Sequence, residues 1–286
     1  MLGKGAGESG SHGGTTISGT MVLARLAGIR VFGTGGLGGV HRGGETSMDV
    51  SADLTELGRT RVAVVSSGCK GFLDIPRTLE FLETQGVFVA TFADGRKEAV
   101  DFPAFWARES GTPSPAVVRD EREAAAIILA QENLGIESGL LFANPIPEEA
   151  AIPREEMEAA IGLAVREADE KGFTGNANTP YVLKRIRELT QGRSVSANKT
   201  LIQANVARAA KIAVELAKMM DGAPVTPRTV TTTVTTQTSY SSMGGGASVM
   251  TSSPTVEVQS EVKTEVNNKE VGSNDNTAID CQQPTN

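Results

Sequence analysis

Along residues 13–220 the hydrophobic pattern switches repeatedly between two periods. Short apolar runs at Ile29 to Phe32, Val62 to Val65, Val87 to Phe92 and Leu140 to Phe142 are too short for helices, which predicts strands. Val62 to Val65 is apolar at every position, as in a strand buried on both faces of a parallel sheet. Helical patterns with recognisable ends lie between the runs. Thr15 and Thr16 can cap a helix through Met21, Leu23 and Leu26 that Gly28 closes. A second begins near Asp74, carries Leu79 and Phe81, and stops at Gly86. Asp120 with Glu123 makes a capping box ahead of Ile127, Ile128 and Leu129. Pro153 to Lys171 reads as a long helix stopped by Gly172, and Thr179 and Pro180 open another with cap and first residue in the favoured order. Ser194 caps a last, alanine-rich helix. This alternation predicts an α/β fold with a central, mostly parallel sheet flanked by helices on both faces (α/β/α).

Polar ADGRKEAV, Ala93 to Val100, reads as a surface loop. Beyond it Phe102, Phe105 and Trp106 either seal the core beneath that loop or offer rings on which a base can stack. Glu148 and Glu149 fit an acidic helix start better than a catalytic pair. From Asp221 the composition changes abruptly: TVTTTVTTQTSYSSMGGGASVMTSSP is low in complexity, and the polar remainder has no helical period. Such a tail cannot bury enough apolar surface to offset the ordering of its backbone. The expected division is an irregular start at residues 1–12, a globular domain at 13–220 and a disordered tail at 221–286.

Composition narrows the classes. With 286 residues, 39% of them hydrophobic and 21% charged, the chain can bury one substantial core. A net charge of -7 and a pI near 5.1 argue against a nucleic-acid partner. The two cysteines, Cys69 and Cys281, have no metal-binding spacing and imply no disulfide framework, which fits a reducing compartment. The start shows no charged segment followed by an apolar one, and no apolar run is long enough to span a bilayer. The expectation is a soluble, cytoplasmic protein without a membrane partner, with organellar targeting left open.

Candidate chemistry concentrates between Val31 and Asp74. Lys70 follows the buried strand Val62 to Val65 on a strand-to-helix turn, at the carboxyl edge of the sheet where open α/β folds place ligands. An unprotonated amine there can attack a carbonyl and form a Schiff base; an ordinary surface lysine is the alternative. Asp49, Ser51 and Asp53 alternate, and in an extended chain or a helix Asp49 and Asp53 share a side. Two such oxygens suit Mg or Mn, or else Ser51 or Asp53 simply caps a helix through Leu54 and Leu57. Gly33, Gly35 and Gly38 spell GxGxxG, yet Gly39-Val40-His41-Arg42-Gly43-Gly44 cannot open a long amphipathic helix, so a dinucleotide-binding oxidoreductase is disfavoured. The glycines more readily let the backbone turn and approach an anionic ligand, with Thr34, His41 and Arg42 nearby.

The run TGGLGGVHRG, then MDVSADLTELGRT, then VAVVSSGCKGFLDIPRTLEFLETQGV resembles the pseudouridine-5'-phosphate glycosidase family. SGLLFANPIPEE and TPYVLKRIRELTQGRSVSANKTLIQANVARAAKIA extend the likeness, which covers residues 13–218. It implies reversible cleavage of pseudouridine 5'-phosphate to uracil and ribose 5-phosphate. Carried over by motif, Lys70 would be the nucleophile and Asp49 the contact to one divalent metal, usually Mn2+. Ser51, Ala52 and Asp53 would touch substrate, and Ile17, His41 and Asn198 fall at or near positions that line the site. A homotrimer is implied as well. A C-glycoside has no oxygen or nitrogen leaving group, so an iminium on lysine supplies the electron sink that paired carboxylates cannot, and a general acid–base must still move a proton. In the family a glutamate with that task and a second lysine belong to an amino-terminal portion. Neither Lys4 nor Glu8 sits in the corresponding motif. The alternative expectation is therefore an impaired fragment or non-catalytic homologue that binds sugar phosphate or assembles with full-length subunits.

Overall fold

The structure, a computed structural model, describes residues 14–97, 99–173 and 178–221. The expected irregular start at 1–12, and the expected tail beyond Asp221, lie outside the described residues. Helix α1 (Ile17–Leu26) leads into strand β1 (Val31–Gly33). A single-turn helix α2 (Gly44–Ser47) and helix α3 (Ala52–Leu57) precede β2 (Ala63–Ser66), and α4 (Ile75–Thr84) precedes β3 (Phe88–Phe92). After β4 (Ala116–Val118) come α5 (Glu121–Leu134), β5 (Leu140–Ala143), α6 (Arg154–Glu170), α7 (Asn178–Leu189) and α8 (Arg193–Asp221).

The strands form one parallel sheet in the order β1-β2-β5-β3-β4, with β5 between β2 and β3. Because side chains alternate across a strand, the sheet serves two cores. Val62, Val64, Val89, Leu141 and Ala143 face one core with α1, α3, α4, α6 and α7. Ala63, Val65, Ala90, Phe92, Leu140 and Phe142 face the other, beneath α5 and the second half of α8. This is the α/β/α arrangement that the periodicity predicts. The 29 residues of α8 span about 43 Å at the usual helical rise. Its Ala197 and Leu201 belong to the first core, and its Ala209, Ile212 and Leu216 to the second.

The capping residues work as their types dictate. The side chains of Thr16, Asp74 and Asp120 accept from the amides of Gly19, Arg77 and Glu123 at 3.1, 3.0 and 2.8 Å. Other boundaries move for local reasons. The first strand starts at Val31, not Ile29, because the Ile29 amide donates to the Ala24 carbonyl and finishes α1. Ser194 lies inside the first turn of α8, where its hydroxyl meets Thr190 Oγ1 at 3.0 Å. Glu148 and Glu149 begin only a 3-10 turn. β4 carries three residues, too few to show a period.

One glycine sets how closely α8 can approach the sheet. A Cβ on Gly33 would lie 2.6 Å from the Asn205 carbonyl oxygen and 2.7 Å from Val206 Cα, both backbone atoms. Gly33→Ala is therefore expected to lower stability by roughly 1–3 kcal/mol through overpacking, read as an earlier urea midpoint at unchanged slope.

Candidate active site

The chain leaving the carboxyl ends of β1, β2 and β5 is tied together by one side chain. Asn205 is fully buried in the middle of α8. Its amide donates to the Thr34 carbonyl at 2.7 Å, the Gly35 carbonyl at 3.2 Å and Ser67 Oγ at 3.1 Å. Its oxygen accepts from Asn144 Nδ2 at 2.9 Å. The glycine loop after β1 is thereby held beside the turn that carries Lys70. Leu37 and Lys70 complete the junction: the Leu37 amide donates to Gly68 O and the Lys70 amide to Leu37 O, at 2.9 and 3.0 Å.

Lys70 opens into a cleft of about 460 Å3 lined by Thr34, Gly35, Gly36, Phe105, Trp106 and Asn198, with Lys184, Arg187 and Val195 at its α7 and α8 side. Phe105 adopts a left-handed backbone with φ 64°, sparsely populated for a bulky residue, and donates its amide to Ser67 O at 3.0 Å. Its ring rests on Gly36, where a Cβ would come within 2.6 Å. Trp106 packs edge-on against it with centroids 4.7 Å apart and donates Nε1–H to the Ser194 carbonyl at 3.0 Å. Both aromatics seal the core, as one of the two readings has it, and they also border the cleft. Among the described residues the lining carries Lys70, Lys184 and Arg187 and no Asp, Glu or His. Such a wall suits an anionic, ring-containing ligand.

The remaining candidates lie outside that lining. Asp53, 6% exposed in the first turn of α3, accepts from the Ser18 amide of α1 and the Gly38 amide of the loop, both at 2.9 Å. Ser51 caps α3, with its Oγ 3.3 Å from the Asp53 amide, and its side chain lies against Gly38. Ala52 is exposed and Ile17 is half-buried at the start of α1. His41 donates its backbone amide to Asp49 O at 3.0 Å, and its Nδ1 stands 3.9 Å from Asp49 Oδ2. Asp49 and Asp53 thus do different things: Asp53 is spent on backbone amides, whereas the Asp49 side chain is half-exposed. Among the described residues no cluster of three His, Cys, Asp or Glu side chains could cage a metal. One open carboxylate beside an imidazole fits a hard divalent cation that keeps most of its water shell.

Lys70 and Asn198 therefore share one cleft, whose lining among the described residues does not include Asp49, His41, Ser51 or Asp53. The sequence offers no reading of Asn144, Lys184 or Arg187 as site residues; it reads Asn205, near the start of the last helix, as either satisfying nearby backbone or touching ligand, and the structure gives it the first role from the middle of α8. A polar residue closing an apolar strand was the available signal for Asn144; Lys184 and Arg187 look like an ordinary solvated helix face. Two measurements follow from this packing. Asp53→Ala leaves the Gly38 amide buried without an acceptor, so a loss of roughly 1–3 kcal/mol is expected in urea unfolding. Burial pushes the Cys69 thiol up from 9.0 to about 12. In a Cys281→Ser background Cys69 is expected to resist thiol reagents until denaturant is added. Its contribution to stability is complete below pH 9.0 and declines as pH rises towards 12.

Residues 4–215 match the family described as indigoidine synthase A like protein. The chain is 52% identical over 210 residues to a pseudouridine-5'-phosphate glycosidase of Caldanaerobacter subterraneus, covering 73% of this chain and 67% of that one. It is 51% identical to the glycosidase of the same name in Deinococcus radiodurans, with 73% and 66% covered. The Methylobacterium nodulans glycosidase, 50% identical, is covered over 60% of its length and 73% of this chain. Among solved structures, the prealnumycin C-glycosynthase AlnA, in complex with ribulose 5-phosphate, aligns with a TM-score of 0.67 at 34% identity, over 72% of this chain and 66% of that one. An indigoidine synthase A-like protein of Thermotoga maritima aligns with a TM-score of 0.62 at 39% identity, over 70% and 64%. The chain thus spans about two thirds of the length of these relatives. It belongs to the indigoidine synthase A-like family, that of the pseudouridine-5'-phosphate glycosidases.

Proposed function

We propose that this chain carries the lysine side of a site that makes and breaks the C-glycosidic bond of pseudouridine 5'-phosphate. The observation that carries this reading is the placement of Lys70 in an aromatic, cation-lined cleft beside Asn198, in a chain whose relatives bear that name. The Lys70 amine would displace the ring oxygen at C1 of the ribose, the oxygen leaving as the C4 hydroxyl with the proton the amine gives up. Its nitrogen lone pair would then form C=N as the bond to uracil C5 breaks, leaving the electron pair on uracil, which takes up a proton. Water releases ribose 5-phosphate and restores the amine. Phe105 and Trp106 would bound the space for the base, and Lys184 and Arg187 would favour anionic substrate. Asp49, with His41 beside it, would hold a divalent cation such as Mn2+, whose charge offsets that of substrate phosphate. Asp53 and Ser51 act here as positioning residues for the glycine loop. A homotrimer, as in the sequence expectation, belongs to the same proposal.

A second reading has its own support. Among the described residues the cleft lining has no carboxylate or imidazole beside its lysines and arginine. On that reading the chain forms the lysine adduct or binds sugar phosphate without turnover. The purified chain, incubated with ribose 5-phosphate, uracil and Mn2+, is expected to yield a borohydride-trapped adduct one ribose phosphate heavier, absent from Lys70→Ala. Pseudouridine 5'-phosphate formed alongside supports the enzyme; adduct without product supports the second reading. A folded chain giving neither refutes the lysine chemistry.

A further inference from the structure

A second cavity lies on the reverse of the turn that carries Lys70. It holds about 420 Å3 between the start of α4, the flank of α6 and the loop segment 104–112. Gly71, the residue after Lys70, lines it, and a Cβ there would lie 2.9 Å from the Ala104 carbonyl oxygen. Lys70, Phe105 and Trp106 line the cleft already described, and the two spaces share no lining residue. The inner wall of the second cavity is apolar, built from Leu73, Ile75, Met157 and Ile161, all buried.

Two arginines border the same space. Arg154, in the first turn of α6, is held in place by the protein alone. Its Nε donates to Glu158 Oε1 at 2.7 Å, and its guanidinium lies against Gly111, where a Cβ would come within 2.5 Å of Nη1 and 2.8 Å of Nη2. Gly111 has φ 77° and donates its amide to Asp101 Oδ2 at 2.6 Å, so conformation and space both call for glycine there. Among the described residues neither Nη of Arg154 donates to a protein group. Arg42 comes from the α4 side, because Val40 bridges to Asp74 just ahead of that helix. It forms no ion pair among the described residues, whereas Asp74 is occupied by the Arg77 guanidinium at 2.5 Å and the Arg77 amide at 3.0 Å.

Charge selects among anions here. Arg42 and Arg154 bring positive charge to the lining, Glu158 offsets one of them, and Asp74 is already matched by Arg77. A monoanion completes that balance, whereas a dianionic phosphate would also meet Glu158 and Asp74. The paired Nη groups of an arginine match the two oxygens of a carboxylate, and an apolar wall with a few convergent polar groups suits a compact hydrocarbon body.

We propose that this cavity is a binding site for a small monocarboxylate with an apolar body, its carboxylate held by Arg42 and Arg154 and its body lying against Ile75, Met157 and Ile161. The site is distinct from the Lys70 cleft and does not depend on whether Lys70 reacts.

The test titrates the full chain, isotope-labelled for amide resonances, with benzoate; benzyl alcohol and benzylamine serve as neutral and cationic bodies of similar size. Benzoate is expected to shift Gly71, Gly111 and Thr112 saturably. Arg42→Ala/Arg154→Ala should weaken that binding at least about tenfold, the scale of losing a hydrogen bond to a charged group. Lys184→Ala/Arg187→Ala, which alters the Lys70 cleft instead, should bind as the parent does. Circular dichroism checks that each variant folds. Because Arg154 also braces Gly111, Arg42→Ala alone gives an independent reading: weaker benzoate binding with the ligand-free Gly111 resonance unmoved. Shifts confined to Gly35, Gly36 and Asn198, an equal response to benzyl alcohol or benzylamine, or unchanged binding in the double variant would overturn the proposal. So would the lack of any saturable shift in the folded chain, including a cavity covered by a second copy of it.

Discussion

The buried carboxamide of Asn205 is the constraint on which the arrangement of this molecule depends. Three strands end at the same edge of the sheet, and each leaves polar backbone or side-chain groups that must be satisfied away from water. Asn205 reaches Thr34 and Gly35 after β1, Ser67 after β2 and Asn144 after β5. It can do so only because α8 lies directly against the sheet, which in turn needs Gly33 to have no side chain. The glycine loop and the turn bearing Lys70 are fixed relative to each other by this one hub. Neither is covered by a lid in the described residues; both are held from below.

Gly35 and Gly36 face Lys70, Phe105 and Asn198, and Gly38 rests on Ser51 and Asp53. The glycines let these side chains pack directly on the loop's backbone, because a Cβ at Gly36 or Gly38 would strike the Phe105 ring or the Ser51 and Asp53 side chains. Among the described residues the cleft lining is cationic and aromatic without a carboxylate; of the two aspartates near the loop, one is consumed by backbone amides and one is half-exposed.

The residues by themselves determined the layer order of this fold. Val62 to Val65 reads as a doubly buried strand, and Thr15 or Thr16, Asp74 and Asp120 as helix starts, since these are local matters of period and of one side-chain oxygen meeting an amide three residues on. The sequence also placed Lys70 after such a strand and, through the family motif, joined it with Asn198. Tertiary structure decided the rest. Asp49 and Asp53 look alike at a spacing of four, yet the fold aims one at the amides of Ser18 and Gly38, far away along the chain, and leaves the other to solvent. Lys184 and Arg187 become cleft residues only because α7 packs against the start of α8. Asn205 becomes a hub only because α8 crosses three strand ends. Such roles depend on which distant backbone groups come within 3 Å or so of a side chain, and no local pattern encodes that distance.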